Sequence, residues 1–308
     1  MVLFQQMLIF FIIMLLGYYG ARKGILDDVT GKSLSWLVVH IANPALILSG
    51  CAGGQMVVKE LLFTGILAVL LFLVLIISAE IVIPMFFHER EKRGGYKVML
   101  VFSNMGFMGF PLISAVYGQS AIMYAAIFLI PFNLLIYTYG IFRIGKMGKR
   151  EDLEGRKTVQ WKPMLNSGVI ACLLAIGIEV TRFPVPEMPM KLIEMLGGMT
   201  APLSMLIIGA SFRGLSTKKL ITDKKLLGFS FLKLMALPVA GMLFLKQFVE
   251  NEVLLGVCFI VLAAPAGSMV VILSKQYGGD ENTAVKGVAF TTLLSVLTMP
   301  LAAKLAGL

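Results

Sequence analysis

One interrupted apolar pattern occurs twice in the chain, and no soluble fold has use for it. Asn43-Pro44-Ala45-Leu46 lies inside one apolar segment, and Ser103-Asn104-Met105-Gly106-Phe107-Met108-Gly109-Phe110-Pro111 lies inside another that ends at Tyr117-Gly118. Further on, Ala201-Pro202-Leu203-Ser204 is followed by Ala264-Pro265-Ala266-Gly267-Ser268, in a segment that ends at Tyr277-Gly278. The separations agree, with Pro44 to Pro202 at 158 residues, Pro111 to Pro265 at 154 and Gly118 to Gly278 at 160. Each half reads as one copy of a duplicated membrane unit. Gly- and Pro-interrupted hydrophobic segments at matching positions of two halves point to the binding region of a secondary transporter.

Composition agrees with a membrane setting. Hydrophobic residues make up 58% of the 308 and charged residues 14%, too little polar surface to cover a soluble globule of this size. A spanning helix needs roughly 20 mostly apolar residues. Against that ruler the chain offers ten candidates, at 3–21, 33–52, 58–87, 97–117, 120–142, 164–181, 190–212, 226–249, 252–277 and 283–306. The expected fold is an all-α polytopic membrane protein with ten transmembrane helices. Residues 1–142 form the first five-helix repeat, 143–163 a cytoplasmic linker and 164–308 the second repeat. An odd number of spans per half gives the halves opposite orientation, an inverted repeat.

Basic residues set the orientation. With the N-terminus outside, Arg22, Lys23 and Lys32 fall in the first inside loop, and seven basic residues fall between 143 and 162. Only scattered ones, such as Lys59 and Arg182, lie outside. The net charge of +10 is spread over these short loops, so no nucleic-acid partner is expected. The first apolar run is followed by Arg22-Lys23 and not by a small-residue cleavage site, so it reads as a retained helix. A bacterial inner membrane, multi-pass, is the expected location.

Catalytic constellations are nearly absent from the sequence. His40 and His88 are the only histidines, and no nucleophile elbow, phosphate loop or paired membrane aspartates occur. Cys51, Cys172 and Cys258 stand apart in apolar contexts without metal-ligand spacing. No enzyme, cofactor or metal site is expected. Asp occurs only at 27, 28, 152, 223 and 280, all in loops, so the buried aspartate of a typical cation antiporter is missing. Ionisable groups at membrane depth are costly and therefore functional candidates. Glu80 lies in the third span. Lys233, two turns into the eighth, could neutralise an anionic substrate, pair with Glu80 or snorkel to the headgroups.

The interrupted spans carry the electrostatic argument. Pro111 and Pro265 remove backbone donors, and Gly106, Gly109 and Gly267 permit non-helical backbone. Unwinding there leaves a half-helix N-terminus near the bilayer midplane, with free N–H groups and a partial positive charge suited to a carboxylate. Asn104 and Ser268 would add polar side chains. The expected substrate-binding residues are Asn104, Gly106, Pro111, Pro265, Ala266, Ser268 and Lys233, with Glu80 as a charge partner.

The strings 103–112, 201–211 and Ala263-Ala264-Pro265-Ala266 leading to Tyr277-Gly278-Gly279-Asp280 resemble the auxin efflux carrier family, the PIN-like carriers and their bacterial relatives labelled malate permeases. The resemblance covers essentially all ten spans. It implies the fold of bile-acid sodium symporters and sodium/proton antiporters. In that fold the first, second, sixth and seventh spans form a scaffold and the others a mobile transport domain. The fourth and ninth spans cross where they are broken, at Pro111 and Pro265, and the crossover asparagine maps onto Asn104. The chain departs from the plant members in its short 143–163 loop and in lacking a membrane aspartate before the crossover. The resulting expectation is a secondary-active or facilitative carrier of small organic anions, carboxylates such as malate or auxin-like acids, working by alternating access, with a sodium- or proton-coupled symporter of the bile-acid type as the alternative and a membrane sensor or enzyme as a different class. Its expected partners are the anion, the bilayer and a second copy through the scaffold helices.

Overall fold

The computed structural model describes residues 2–52, 56–145, 164–214 and 222–308. The expected linker lies outside the described residues from 146 to 163. Among the described residues the chain is helical, and its sole β feature is an isolated bridge between Ser103 and Ala266. In chain order the helices are α1 (Val2–Arg22), α2 (28–52), α3 (Val58–Phe86), α4 (Arg90–Val101), α5 (Met105–Tyr117) and α6 (Ala121–Gly145). The second half supplies α7 (Ser167–Thr181), α8 (Glu187–Ser211), α9 (Lys224–Leu245), α10 (Glu252–Ala263), α11 (Met269–Tyr277) and α12 (Glu281–Leu305). Of these, α1, α3, α6, α8, α9 and α12 are long and apolar enough to cross a membrane, and α5, α7 and α10 are shorter apolar helices.

The 29-residue α3 is apolar all round, as suits a membrane-spanning helix. In α3, Ala68, Leu71, Phe72, Leu75, Ala79 and Ile83 follow the helical repeat and are buried, while Ile66, Leu70, Val74, Ile77 and Ile81 on the opposite face are exposed. Aspartates and asparagines sit at the helix starts. The side chains of Asp27, Asn166, Asp223, Asn251 and Asp280 accept from the amides of Thr30, Val169, Leu226, Leu254 and Thr283 at 2.8–3.1 Å. These are N-caps, which explains why the aspartates avoid the spans.

Prolines widen helices without ending them. Asn43, Phe110 and Leu237 each precede a proline, and each donates its amide to the carbonyl five residues back, at Val38, Met105 and Leu232. The proline ring crowds the carbonyl four residues before it, and a one-residue π-bulge relieves the clash. This corrects one expectation. Pro111 lies in the turn after the bulge at 105–109, not in a break.

The backbone leaves helical geometry at 102–104 and 264–268 instead. Asn104 N donates to Pro265 O at 2.8 Å and Gly267 N to Phe102 O at 2.9 Å, so the two breaks join as an antiparallel bridge. The halves match around it. α4 and α10 are both 12 residues long, α6 and α12 both 25. α5 and α11 both end on a Tyr followed by a glycine at positive φ, Gly118 at 84° and Gly278 at 76°, which a side chain would strain.

Packing has the same exchange pattern. α1 runs along α8 as α7 does along α2. α3 contacts α4 and α6 as α9 contacts α10 and α12, and α4 meets α12 as α10 meets α6. The α1–α8 contact is backbone to backbone, since a Cβ on Gly17 would stand 2.2 Å from Leu206 O and one on Gly209 1.9 Å from Met14 O.

Candidate functional site

The bridge disposes of the backbone groups that the breaks strip from the helices. In a continuous helix Val261 O would accept from residue 265, but Pro265 has no N–H. Ser103 Oγ fills that role and donates to Val261 O at 2.6 Å. Leu100 O would accept from Asn104 N, which donates to Pro265 O instead. The Lys233 ammonium takes its place, donating to Leu100 O at 3.0 Å and to Ser103 Oγ at 2.7 Å. One freed carbonyl near the end of each of α4 and α10 is thus satisfied, by a lysine and a serine.

The amino ends are open. The Asn104 side chain accepts from Phe107 N at 3.3 Å, and Ala266 N donates to Thr291 Oγ1 at 3.2 Å. Among the described residues, no acceptor receives the amides of Gly106, Ser268 or Met269. These three residues line a cavity of about 680 Å³ that also receives Asn104 and Ser103. Helix N-termini with unpaired amides favour an anion.

The cavity wall comes from both halves of the chain. Asn43 and Ile47 of α2, Ile208 of α8 and Phe212 just after it face the break, with Phe107 and Phe132 beside it. Among the described residues the lining includes no Asp, Glu, Lys, Arg or His, and it is mostly apolar. Asn43 Oδ1 is buried without a hydrogen-bond partner, and Asn43 Nδ2 faces Gly106, 3.5 Å from where a Cβ there would stand. Asn133 Oδ1 accepts from Asn166 Nδ2 at 2.7 Å, joining α6 to the N-cap of α7 at the cavity edge.

Of the residues expected in the site, Asn104, Gly106 and Ser268 line the cavity, while Pro265, Ala266 and Lys233 lie behind it in or against the bridge and Pro111 one helical stretch away. Lys233 is fully buried, so it does not snorkel. Nor does it pair with Glu80, which binds Lys97 at 2.6 Å, Arg143 at 2.6 Å and Tyr139 OH at 2.7 Å, joining α3 to α4 and α6. Lys97 and Arg143 start far from Glu80 in sequence but their helices pack on α3, whereas Lys233 points to the bridge. The sequence reading missed Asn43, Asn133 and Asn166. The Asn43-Pro44 pair was a usable signal, because a polar residue beside a helix-disturbing proline in an apolar run is seldom neutral.

Broken apolar helices that meet back to back over an uncharged cavity define a polytopic membrane carrier. The chain belongs to the membrane transport protein family, whose model matches residues 2–303. It is similar to an uncharacterized transporter of Methanocaldococcus jannaschii, 26% identical over 98% of both chains. A second uncharacterized transporter, from Methanothermobacter thermautotrophicus, is 20% identical over 94% of both. The uncharacterized transporter YfdV of Escherichia coli is 22% identical over 94% of this chain and 93% of its own. The protein is a membrane transporter and not an enzyme.

Proposed function

We propose that the protein carries small organic anions bearing a carboxylate and an apolar body, by alternating access across a bacterial inner membrane with its N-terminus outside. In this reading α4 and α5 together, and α10 and α11 together, make the crossing fourth and ninth of ten spans in a 5+5 inverted repeat. The exchange of contacts between α1–α6 and α7–α12 supports that arrangement. α1, α2, α7 and α8 form the scaffold and the remaining helices the moving domain. The close α1–α8 contact through Gly17 and Gly209 supports a rigid scaffold, because glycine-mediated approach is how membrane helices pack tightly.

One observation carries the choice of substrate: the amides of Gly106, Ser268 and Met269, unpaired among the described residues, open onto a cavity whose described lining carries no charged side chain. A carboxylate fits those amides, and the apolar wall accommodates the rest of the molecule. Lys233 lies behind Ser103, where its charge attracts an anion without contacting it. A second carboxylate would have no partner at the wall, so monocarboxylates are preferred over dicarboxylates. The test is counterflow in proteoliposomes, with labelled aromatic and aliphatic monocarboxylates against malate and neutral amide analogues. Exchange of monocarboxylates alone is expected. Equal exchange of an acid and its amide would overturn the reading.

A further inference from the structure

We propose that the Lys233 ammonium is a resident cation of the bridge, standing where a transporter of this build would bind a coupling metal ion, so that the carrier is assembled without sodium. The proposal concerns the rear of the break and holds whatever the substrate is.

Half-helix C-termini carry partial negative charge and exposed carbonyls, and in broken-helix transporters such ends hold the coupling cation. Here two such ends converge. Leu100 O, freed because Asn104 N turns to Pro265 O, binds the ammonium directly. Val261 O, orphaned by Pro265, is reached through Ser103 Oγ, which accepts from Lys233 and donates to Val261. The side chain is fully buried, and among the described residues no carboxylate forms an ion pair with it. An isolated ammonium is expensive to bury, so its place at the negative ends of two helices is its compensation. Carboxylates, thiolates and imidazoles that would draw a metal are not gathered there. No group of three or more His, Cys, Asp or Glu that could hold a metal ion occurs among the described residues, and two of the oxygens at the break, Leu100 O and Ser103 Oγ, already hold the lysine. Lys233 sits on the π-bulge at 232–236, whose widened turn belongs to the same helix as Pro238. The cavity-facing ends of the breaks are then positive and the rear is neutralised by the protein's own cation.

Lys233 is therefore a positioning residue, and the readout is the bridge itself. Hydrogen–deuterium exchange of the Asn104 and Gly267 amides, in purified detergent-solubilised protein, is compared in sodium chloride and in choline chloride. In the native protein the two salts should give equal protection. Lys233→Ala should expose both amides about 10- to 100-fold faster, the range for losing a hydrogen bond to a charged group. Sodium or methylammonium should restore protection in that variant, and choline, too large for the vacated space, should not. Lys233→Met keeps the volume and should gain nothing from either ion. Bridge protection in the native protein that depends on sodium would overturn the proposal, as would full protection in Lys233→Met. The native comparison decides the matter even where a variant fails to insert.

Discussion

At the scale of single residues, Asn104 and Asn43, which both line the cavity, have opposite relations to stability. Asn104 caps Phe107 N and lines the cavity. Asn104→Ala removes a polar contact worth about 1–3 kcal/mol, so substrate affinity should fall roughly 5- to 150-fold. Equilibrium binding at matched expression checks this, and Asn104→Asp should be worse because a carboxylate would repel the anion. Asn43 holds a buried acceptor without a partner, a group kept at a cost of about 1–3 kcal/mol. Asn43→Leu should raise the melting temperature in detergent while weakening substrate binding, the mark of a polar group retained for function. A stability loss would instead assign Asn43 a structural role. Glycines behave differently. Gly209→Val would drive a side chain into the Met14 carbonyl, and overpacking of this kind costs about 1–3 kcal/mol or more. The melting temperature should drop whether or not substrate is present.

At the scale of elements, the prolines are not equivalent, although they recur at similar spacing. Pro265 lies in the bridge, its carbonyl accepts from Asn104 N, and its missing N–H is what leaves Val261 O to Ser103. Pro111 lies in α5, past a π-bulge. Pro265→Ala returns an N–H that competes for Val261 O and removes a bias of ~3 kcal/mol against continuous helix. Pro111→Ala only lets the bulge relax. Initial uptake rates should therefore fall about tenfold or more in Pro265→Ala and distinctly less in Pro111→Ala, at equal insertion. Equal losses would mean that the bulge at 105–109 matters as much as the bridge. The repeat in the sequence marked both segments as special. It could not say which backbone groups part, because that depends on whether another chain segment arrives to accept or donate.

At the scale of the whole molecule, the proposed alternating access would have the helices bearing the breaks shift against α1, α2, α7 and α8. Asn133 on α6 and Asn166 before α7 are hydrogen-bonded at 2.7 Å across that proposed division. Replacing both by cysteine, in a background where Cys51, Cys172 and Cys258 are Ser or Ala, should give a pair that an oxidant can join. Uptake should stop on oxidation and recover on reduction, while each single cysteine variant should be indifferent to both. Transport that continues through a fully formed cross-link would show that α6 and α7 move as one body.

Helix content, membrane residence and the duplicated interruptions were legible in the sequence because each follows from local chemistry. Long apolar runs must satisfy their own backbone in lipid, aspartates that cap helices stay out of spans, and prolines and glycines repeat at fixed spacing. Glu80 and Lys233 were equally visible as charges at depth, but their partners were not. Lys97 and Arg143 reach Glu80 only because α4 and α6 pack on α3. Lys233 finds Leu100 and Ser103 only because α9 lies behind a break whose carbonyls have lost their helical donors. Asn43 enters the cavity wall for the same kind of reason, since packing brings α2 to face the break at Gly106. The sequence determined which groups had to be paired or solvated somewhere in the membrane. Tertiary structure alone decided with which, because a buried charge or an orphaned carbonyl takes whatever partner packing brings within about 3 Å.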